Sequence, residues 1–417
     1  MKIGSWLFSS GATSKGSTGR SVPASALSQD RLSRDGTGEL GLGNGFSLGT
    51  DGKVVSKSFW GKARACSCGE SIDALAQAYQ QGQISAEELK TCRHYPNTSL
   101  LILGERPQVL QDKLKTWPEA DQAKFEQLLT SVGTGHCDQG ENSFFLGSAL
   151  EKLALQDKLT GQKDQSGLSL LDNLVEMQKL CQADGATGSD LFAWTLVHSA
   201  YSKRTFHQVP GKGICGAATL GYVLWQESPA RVVRALRDWA YEGQAQTRSG
   251  PAERPQRAYD PSQAAPLADQ VLQASLMNLA DPQFAYDIVQ DQFSKAGEQR
   301  ERGLFPEHQQ HLLNSLSTHD WQSQSVSSAH LQPLLKQGSG PIPVALEWTQ
   351  IGDLHSRHML TVNRVTDQHV YLRDPAGELG LTLENSTQEK LGEGFLRMSR
   401  QEFDQRIQQG LLPDSKA

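Results

Sequence analysis

Cys215 has the sequence context of a reactive thiol. It lies in the segment Gly211-Lys-Gly-Ile-Cys215-Gly-Ala-Ala-Thr-Leu, which predicts a glycine-rich loop that leads into a helix with the cysteine in its first turn. Backbone N–H groups and the helix dipole stabilise a thiolate at such a position and lower the cysteine pKa. Because a thiolate is a strong nucleophile, the pattern predicts covalent catalysis. The alternative is an ordinary buried thiol, since free cysteines are among the most buried residues.

Two later segments supply the partners that such a nucleophile needs. Arg357-His358-Met-Leu-Thr-Val begins an apolar strand with a histidine, and Val370-Tyr-Leu-Arg-Asp374-Pro ends the next strand with an acid. If the two strands form a hairpin, both side chains lie at the same end of it, where His358 acts as base and Asp374 orients the imidazole. His355 is the rival base, and an Asp-Pro pair is also a common way to begin a turn.

Acyl transfer also requires donors for the developing oxyanion. The sequence offers the backbone N–H of Cys215 and the side chain of Gln208 across the loop. A solvent-facing loop glutamine is the alternative role for Gln208, and the neighbouring His207 is a second candidate donor. Glycines on both sides of Cys215 leave space for a substrate backbone.

At these residues the chain resembles the papain-like cysteine peptidase superfamily. Gln208-Val-Pro-Gly-Lys-Gly-Ile-Cys215-Gly is similar to the glutamine-loop-cysteine motif of papain. The segments around His358 and Asp374 resemble the histidine strand and the Asp-Pro hairpin of bacteriocin-processing peptidases, with aspartate where papain has asparagine. The resemblance covers about Phe206 to Phe403. It implies a Cys-His-Asp triad, a protein or peptide substrate and no cofactor.

The resemblance also carries a biological expectation. Papain-like domains that follow helical regions and export-type leaders are common among bacterial effectors and toxins. The resemblance therefore implies either a secretion chaperone or a host protein target as a partner.

The elements around the motifs predict an α+β fold with a papain-like catalytic domain, in which the cysteine helix packs on an antiparallel sheet. Residues 1–57 are rich in Ser, Gly and Thr and predict a disordered leader. Residues 58–204 carry apolar positions at helical spacing and predict a helical N-terminal domain, for example from Ser71 to Tyr79. Residues 205–410 form the predicted cysteine hydrolase domain, with helices first and strands afterwards.

Within the predicted catalytic domain the sequence distinguishes loop, helix and strand segments. A polar, proline-bearing segment from Gln246 to Pro266 predicts a surface loop able to cover the groove. Helices are predicted at Ala268–Leu279 and Gln283–Phe293. Four strand-like runs follow, at Pro343–Trp348, His358–Val365, His369–Arg373 and Gly394–Met398.

Composition excludes several other classes of protein. The net charge of −6 at pH 7 provides no basic surface for nucleic acid. The N-terminus lacks the apolar run of a signal peptide and no segment predicts a membrane span, so we expect a cytoplasmic protein or one exported without a cleaved signal.

The six cysteines are sparse, as in a reducing compartment. Zinc binding is disfavoured by the one-residue gaps within the ligand pairs Cys66/Cys68 and Cys92/His94.

The sequence therefore predicts thiol-dependent hydrolysis of an amide bond, that is, a cysteine peptidase. Two alternatives stay open. The same thioester serves a protein-modifying transglutaminase or deamidase, in which an amine captures the acyl group or a glutamine side chain is hydrolysed. The second alternative is a non-catalytic papain-fold binding module, whose cysteine site is vestigial or covered.

Overall fold

The computed structural model describes most of the chain from residue 106 onward and three short strands before it. The described residues are 40–43, 46–48, 54–56, 106–133, 143–295, 298–300, 303–349, 355–377, 386–392 and 394–414. Within them the chain is a mixed α+β fold with antiparallel sheets, as the sequence predicts. The predicted helix from Ser71 to Tyr79 lies outside the described residues.

Helices dominate the described chain up to residue 280, and three more follow. They are α1 Gln108–Lys115, α2 Glu119–Gly133, α3 Ser143–Leu155, α4 Lys158–Gly161, α5 Leu170–Ala183, α6 Ala186–Thr205, α7 Cys215–Glu227, α8 Pro229–Glu242, α9 Leu267–Ala280, α10 Pro306–Leu316, α11 Ser328–Lys336 and α12 Arg400–Arg406. Serine side chains cap the N-terminal ends of several helices by hydrogen bonds. In α5, for example, Ser169 accepts a bond from the Asp172 N–H, and the Asp172 carboxylate accepts one in return from the Ser169 N–H.

The strands fall into four sheets. They are β1 Leu40–Gly43, β2 Phe46–Leu48, β3 Val54–Ser56, β4 Gln244–Thr247, β5 Gly250–Glu253, β6 Ala285–Asp287, β7 Gln292–Lys295, β8 Glu298–Arg300, β9 Trp321–Gln324, β10 Ile342–Thr349, β11 His355–Val365, β12 His369–Arg373, β13 Glu389–Gly392, β14 Phe395–Ser399 and β15 Ile407–Pro413. The largest sheet has seven strands in the order β13-β14-β12-β11-β10-β15-β9. Every neighbouring pair in it is antiparallel.

The predicted strands are confirmed at the centre of this sheet. β10 pairs with β11 from Ile342 opposite Val362 to Thr349 opposite His355. β11 and β12 form the predicted hairpin, and the Thr366 N–H donates to the carbonyl of His369 across its turn. Asp374 comes directly after β12.

Each face of the seven-stranded sheet covers a separate apolar core. Side chains alternate along a strand, so Met359 of β11 belongs to the larger core while Leu360 belongs to the smaller one under α11 and α12. The larger core also takes in Leu110, Leu174 and Trp225, and it is therefore continuous from the N-terminal helices to α7. The boundary between residues 204 and 205 stays a prediction.

The start of α7 packs against β11. Gly216, Ala217 and Ala218 are buried, and the Thr219 hydroxyl donates to the carbonyl oxygen of Met359 at 3.0 Å. That bond joins the helix directly to the backbone of the strand. The helix that carries Cys215 is thus fixed against the strand that carries His358.

Two segments between α8 and α10 differ from their predictions. The helix predicted at Gln283–Phe293 is wrong, because β6 and β7 pair there as a hairpin with Tyr286 opposite Phe293. Their rings lie 5.3 Å apart, and this aromatic cross-strand contact favours a strand over a helix. Part of the predicted surface loop at Gln246–Pro266 forms the β4–β5 hairpin, and Asp260 within it is buried.

Three short strands lie in the leader that the sequence predicts to be disordered. β1, β2 and β3 pair antiparallel in one small sheet. Apolar residues with strand preference, such as Phe46 and Val54, occur at these positions. The other leader residues lie outside the described ones, and their disorder stays a prediction.

Candidate active site

The start of α7 places backbone N–H groups around Cys215. Gly211 in the preceding loop has a positive φ of 72°, a conformation that glycine adopts without steric cost. The helix begins at Cys215, and the N-cap residue Ile214 makes no side-chain hydrogen bond to the first turn. The first-turn N–H groups, which have no partner within the helix itself, and the positive helix end therefore favour a thiolate there.

The β11–β12 hairpin brings an imidazole and a carboxylate together beside that thiol. His358 Nε2 lies 2.9 Å from Asp374 Oδ1, and the Asp374 side chain is only 2% exposed. His358 also forms a hydrogen bond with the thiol of Cys215. Because Nε2 faces Asp374, Nδ1 is the ring nitrogen left for the sulfur. The structure thus joins Cys215, His358 and Asp374 in one hydrogen-bonded series.

Cys215 and His358 shift each other's pKa in opposite directions. Burial disfavours the thiolate, but the hydrogen bond and the positive charge of His358 outweigh burial, and the pKa of Cys215 is lowered. The backbone of Met359 acts on the thiol pKa in the same direction. Burial also disfavours the imidazolium, but Asp374 and Cys215 outweigh it, and the pKa of His358 is raised. Together the shifts favour a thiolate–imidazolium ion pair at neutral pH.

A tight turn holds the carboxylate of Asp374. The N–H of Ala376 donates to Asp374 Oδ1 at 2.8 Å, and the Asp374 N–H donates to the carbonyl of Gly394 at 2.8 Å. Gly377 and Gly394 have φ values of 63° and 79°, which favour glycine. A Cβ on Gly394 would lie 2.8 Å from the carbonyl oxygen of Asp374. Both glycines are therefore required for the backbone to close around the acid.

Arg373 fixes the end of β12 to the helices behind it. Its side chain is buried, at 1% exposure, and its Nε donates to the carbonyl of Lys203 at 3.0 Å. The guanidinium also donates to the carbonyl of Phe206 and lies 4.2 Å above the ring of Tyr222 in α7. The strand end that carries the acid and the helix that carries the nucleophile thus share one buried cation.

No family model, curated protein or solved structure matches the chain. The geometry of Cys215, His358 and Asp374 is therefore what indicates the chemistry of the site.

In the described part of the chain, no helix is both long and apolar enough to cross a membrane. The same residues contain no group of three or more His, Cys, Asp or Glu side chains arranged to hold a metal ion.

Gln208 lies between the cysteine loop and the Asp374 turn. Its backbone N–H donates to the carbonyl of Pro375 at 2.7 Å. Its side-chain amide nitrogen donates to the carbonyl of Lys212 within the loop. That bond uses one of the two amide hydrogens. Oxyanion binding by Gln208 stays a prediction.

His207 packs against the Asp374 turn. Its Nε2 lies 2.8 Å from the carbonyl oxygen of Arg204, and a Cβ on Gly377 would lie 3.0 Å from its Nδ1. Burial and the nearby positive charge of Arg373 lower the pKa of His207, so its ring stays neutral at neutral pH. These contacts give His207 a role in packing the turn.

Two alternatives from the sequence involve side chains that lie outside the described residues. The backbone of His355 is described as the first residue of β11, but its side chain is not. The candidate zinc ligands Cys66, Cys68, Cys92 and His94 lie outside the described residues altogether.

The structure adds contacts to the cysteine loop that the sequence does not predict. The ammonium of Lys212 lies 3.1 Å from the carboxylate of Asp260, and both side chains are more than nine-tenths buried. The N–H of Gly213 donates to Asp291 Oδ2 at 2.7 Å. These partners lie 48 and 78 positions away in sequence, and no local motif marks them.

Proposed function

We propose that this chain is a cysteine hydrolase that cleaves amide bonds in a protein or peptide. The observation that carries the proposal is the connected series of thiol, imidazole and buried carboxylate in Cys215, His358 and Asp374. A thiolate already formed by His358 attacks without waiting for a separate deprotonation step. A structural buried thiol has no need for an imidazolium partner that is itself held by a carboxylate.

The first half of the proposed reaction forms a thioester. The sulfur of Cys215 attacks the substrate carbonyl carbon, and the carbonyl oxygen becomes an oxyanion. When the oxyanion collapses, the C–N bond breaks and Nδ1–H of His358 gives its proton to the departing amine. The N–H of Cys215 and the amide of Gln208 are the proposed oxyanion donors.

The second half hydrolyses the thioester. His358, now neutral, takes a proton from water while the water oxygen attacks the thioester carbon. The C–S bond breaks, the acid product leaves, and the thiolate–imidazolium pair forms again. Through both halves Asp374 accepts the Nε2–H bond, which holds the imidazole in one orientation and stabilises its positive charge.

A cleavage screen followed by mass spectrometry tests this proposal. Cell-extract proteins are incubated with the purified chain in heavy-oxygen water, and new peptide termini are identified. Hydrolysis places heavy oxygen at a new backbone carboxyl terminus, whereas deamidation places it on a glutamine side chain and transfer places none. The expected result is cleavage that Cys215→Ala abolishes and Cys181→Ala preserves, since Cys181 is a buried thiol in α5.

Two outcomes would contradict the proposal. The first is cleavage that persists in Cys215→Ala, because the nucleophile would then be another group. The second is heavy oxygen on glutamine side chains without any backbone cleavage, which would favour the deamidase alternative. The effector or toxin setting is a separate proposal that comes only from the resemblance.

A further inference from the structure

Asp291 combines three features that are each uncommon. It has a positive φ of 55° although it is not a glycine. Asp291 is only 7% exposed, so its carboxylate is buried. Its two oxygens accept hydrogen bonds from different parts of the chain, Oδ2 from the N–H of Gly213 and Oδ1 from the hydroxyl of Tyr286, both at 2.7 Å. Backbone strain and a buried charge both oppose folding, and such features gather at functional sites.

The turn itself does not require an aspartate. Glycine or asparagine is the usual residue where the β6–β7 connection needs a positive φ. Asp287 already closes the rest of that turn, because its Oδ1 accepts the N–H groups of Val289 and Gln290. The carboxylate of Asp291 instead joins its hairpin to the cysteine loop, because Oδ1 accepts from Tyr286 within the hairpin while Oδ2 accepts from Gly213 in the loop.

The contacted loop is one that needs an external support. It contains Gly211 and Gly213, and glycines lose the most conformational freedom when they are ordered. Gly213 lies two residues before Cys215. A hydrogen bond to its N–H therefore restricts the backbone immediately ahead of the nucleophile. Tyr286 is 1% exposed and packs against Phe293, so the group that orients the carboxylate is itself rigid.

We propose that Asp291 is a positioning residue that holds the Cys215 loop in the conformation in which the thiol meets His358. Tyr286 orients the Asp291 carboxylate, and the β6–β7 hairpin thereby becomes part of the active-site framework. The inference rests on the proposed function, because it assigns Asp291 to the same thiol. Asp291 contacts no reacting atom in this scheme and acts only through the loop.

The test measures the alkylation rate of Cys215 by iodoacetamide against pH, with the Cys215 peptide quantified by mass spectrometry. Asp291→Gly keeps the turn, since glycine tolerates the positive φ, but removes the bond to Gly213. Asp291→Asn removes the charge and keeps an acceptor oxygen, and it is the reference for the charge effect. We call the pH at which the alkylation rate reaches half of its maximum the half-point. The half-point of Asp291→Gly should lie about one pH unit above that of Asp291→Asn, which is a tenfold change in the thiol ionisation constant. Tyr286→Phe should shift the half-point in the same direction by less.

Asp157 provides a matched control for backbone strain. It is also a non-glycine residue with positive φ, 57°, but it precedes α4 in the N-terminal helical region. Asp157→Gly should leave the alkylation profile unchanged. If Asp291→Gly and Asp291→Asn give the same half-point, or if Asp157→Gly shifts it equally, Asp291 does not position the thiol.

This readout needs no substrate, so the two proposals fail separately. If the wild-type profile shows a low half-point and Asp291→Gly and Asp291→Asn coincide, only the role of Asp291 is overturned. If wild-type Cys215 titrates as an ordinary thiol, the ion pair is absent and both proposals are overturned.

Discussion

Removal of the Asp374 carboxylate should slow the reaction without preventing it. In Asp374→Ala, His358 Nε2 loses its 2.9 Å partner and the N–H of Ala376 loses its acceptor. Hydrogen bonds to charged groups contribute about 1.5–3 kcal/mol. If the bond to His358 is realised in the transition state, kcat should fall about 12- to 160-fold. KM should change little, because Asp374 does not contact substrate in the proposed scheme.

The variant Asp374→Asn separates orientation from charge. Its amide oxygen still accepts from His358, but a charge-assisted bond is about twice as strong as a neutral one, so kcat should fall only about 4- to 12-fold. The amide NH2 then replaces Oδ2, a buried atom without a hydrogen-bond partner. Since an unpaired buried amide nitrogen takes the place of an unpaired buried oxygen, the exchange adds no unsatisfied group. Asp374→Asn should therefore have a free energy of unfolding close to that of wild type and retain more activity than Asp374→Ala.

The assay is the initial rate of cleavage of a fluorogenic peptide that carries the sequence cut in the screen. Rates are normalised to the concentration of reactive Cys215, so that misfolded protein does not count as loss of activity. Denaturant unfolding gives the stability of each variant. If Asp374→Ala cleaves as fast as wild type, the carboxylate has no part in orienting His358. If both variants are equally slow, the separation of charge from orientation is wrong.

Three further predictions concern the ion pair and its supports. The pKa of Cys215 is lowered and the pKa of His358 is raised. The value of kcat/KM should therefore rise with pH at a point below the ordinary thiol pKa of about 8.5 and fall at a point above the ordinary imidazole pKa of about 6.5. A single rise near the ordinary thiol pKa would contradict the ion pair. Gly394→Ala should reduce both the free energy of unfolding and kcat/KM. The control is Gly340→Ala, because Gly340 also has a positive φ but a Cβ there would meet nothing within 4 Å, so this variant should lose only about 1–2 kcal/mol of stability. Equal loss of activity in both variants would exclude a specific effect on Asp374. Arg373→Met leaves two carbonyl groups without a donor and should lower the free energy of unfolding by roughly 1–3 kcal/mol for each of them. Urea unfolding measures this loss. An unchanged urea midpoint would show that water replaces the guanidinium.

The features that the sequence predicted well are local ones. The loop and helix around Cys215 follow from glycines and small residues that are adjacent in sequence. The β11–β12 hairpin follows from two apolar runs and a short polar turn, and it places His358 and Asp374 together without further information. Short-range patterns of this kind set backbone conformation directly.

The features that were wrong or missed depend on distant residues. The spacing of apolar residues at Gln283–Phe293 predicts a helix, and that spacing does not reveal that Tyr286 pairs with Phe293 across two strands. Asp291 reaches Gly213 across 78 positions, and no motif joins them. Such contacts arise only when the whole core is assembled, and a single sequence does not specify them.

The central claim is that His358 makes Cys215 a nucleophile. Its most direct test is the pH dependence of Cys215 alkylation in wild type and in His358→Ala, each measured on the Cys215 peptide. The structure predicts a wild-type half-point below the ordinary thiol value of about 8.5 and a return to at least that value in His358→Ala. Profiles that coincide in the two proteins would contradict the ion pair and, with it, the proposed hydrolase.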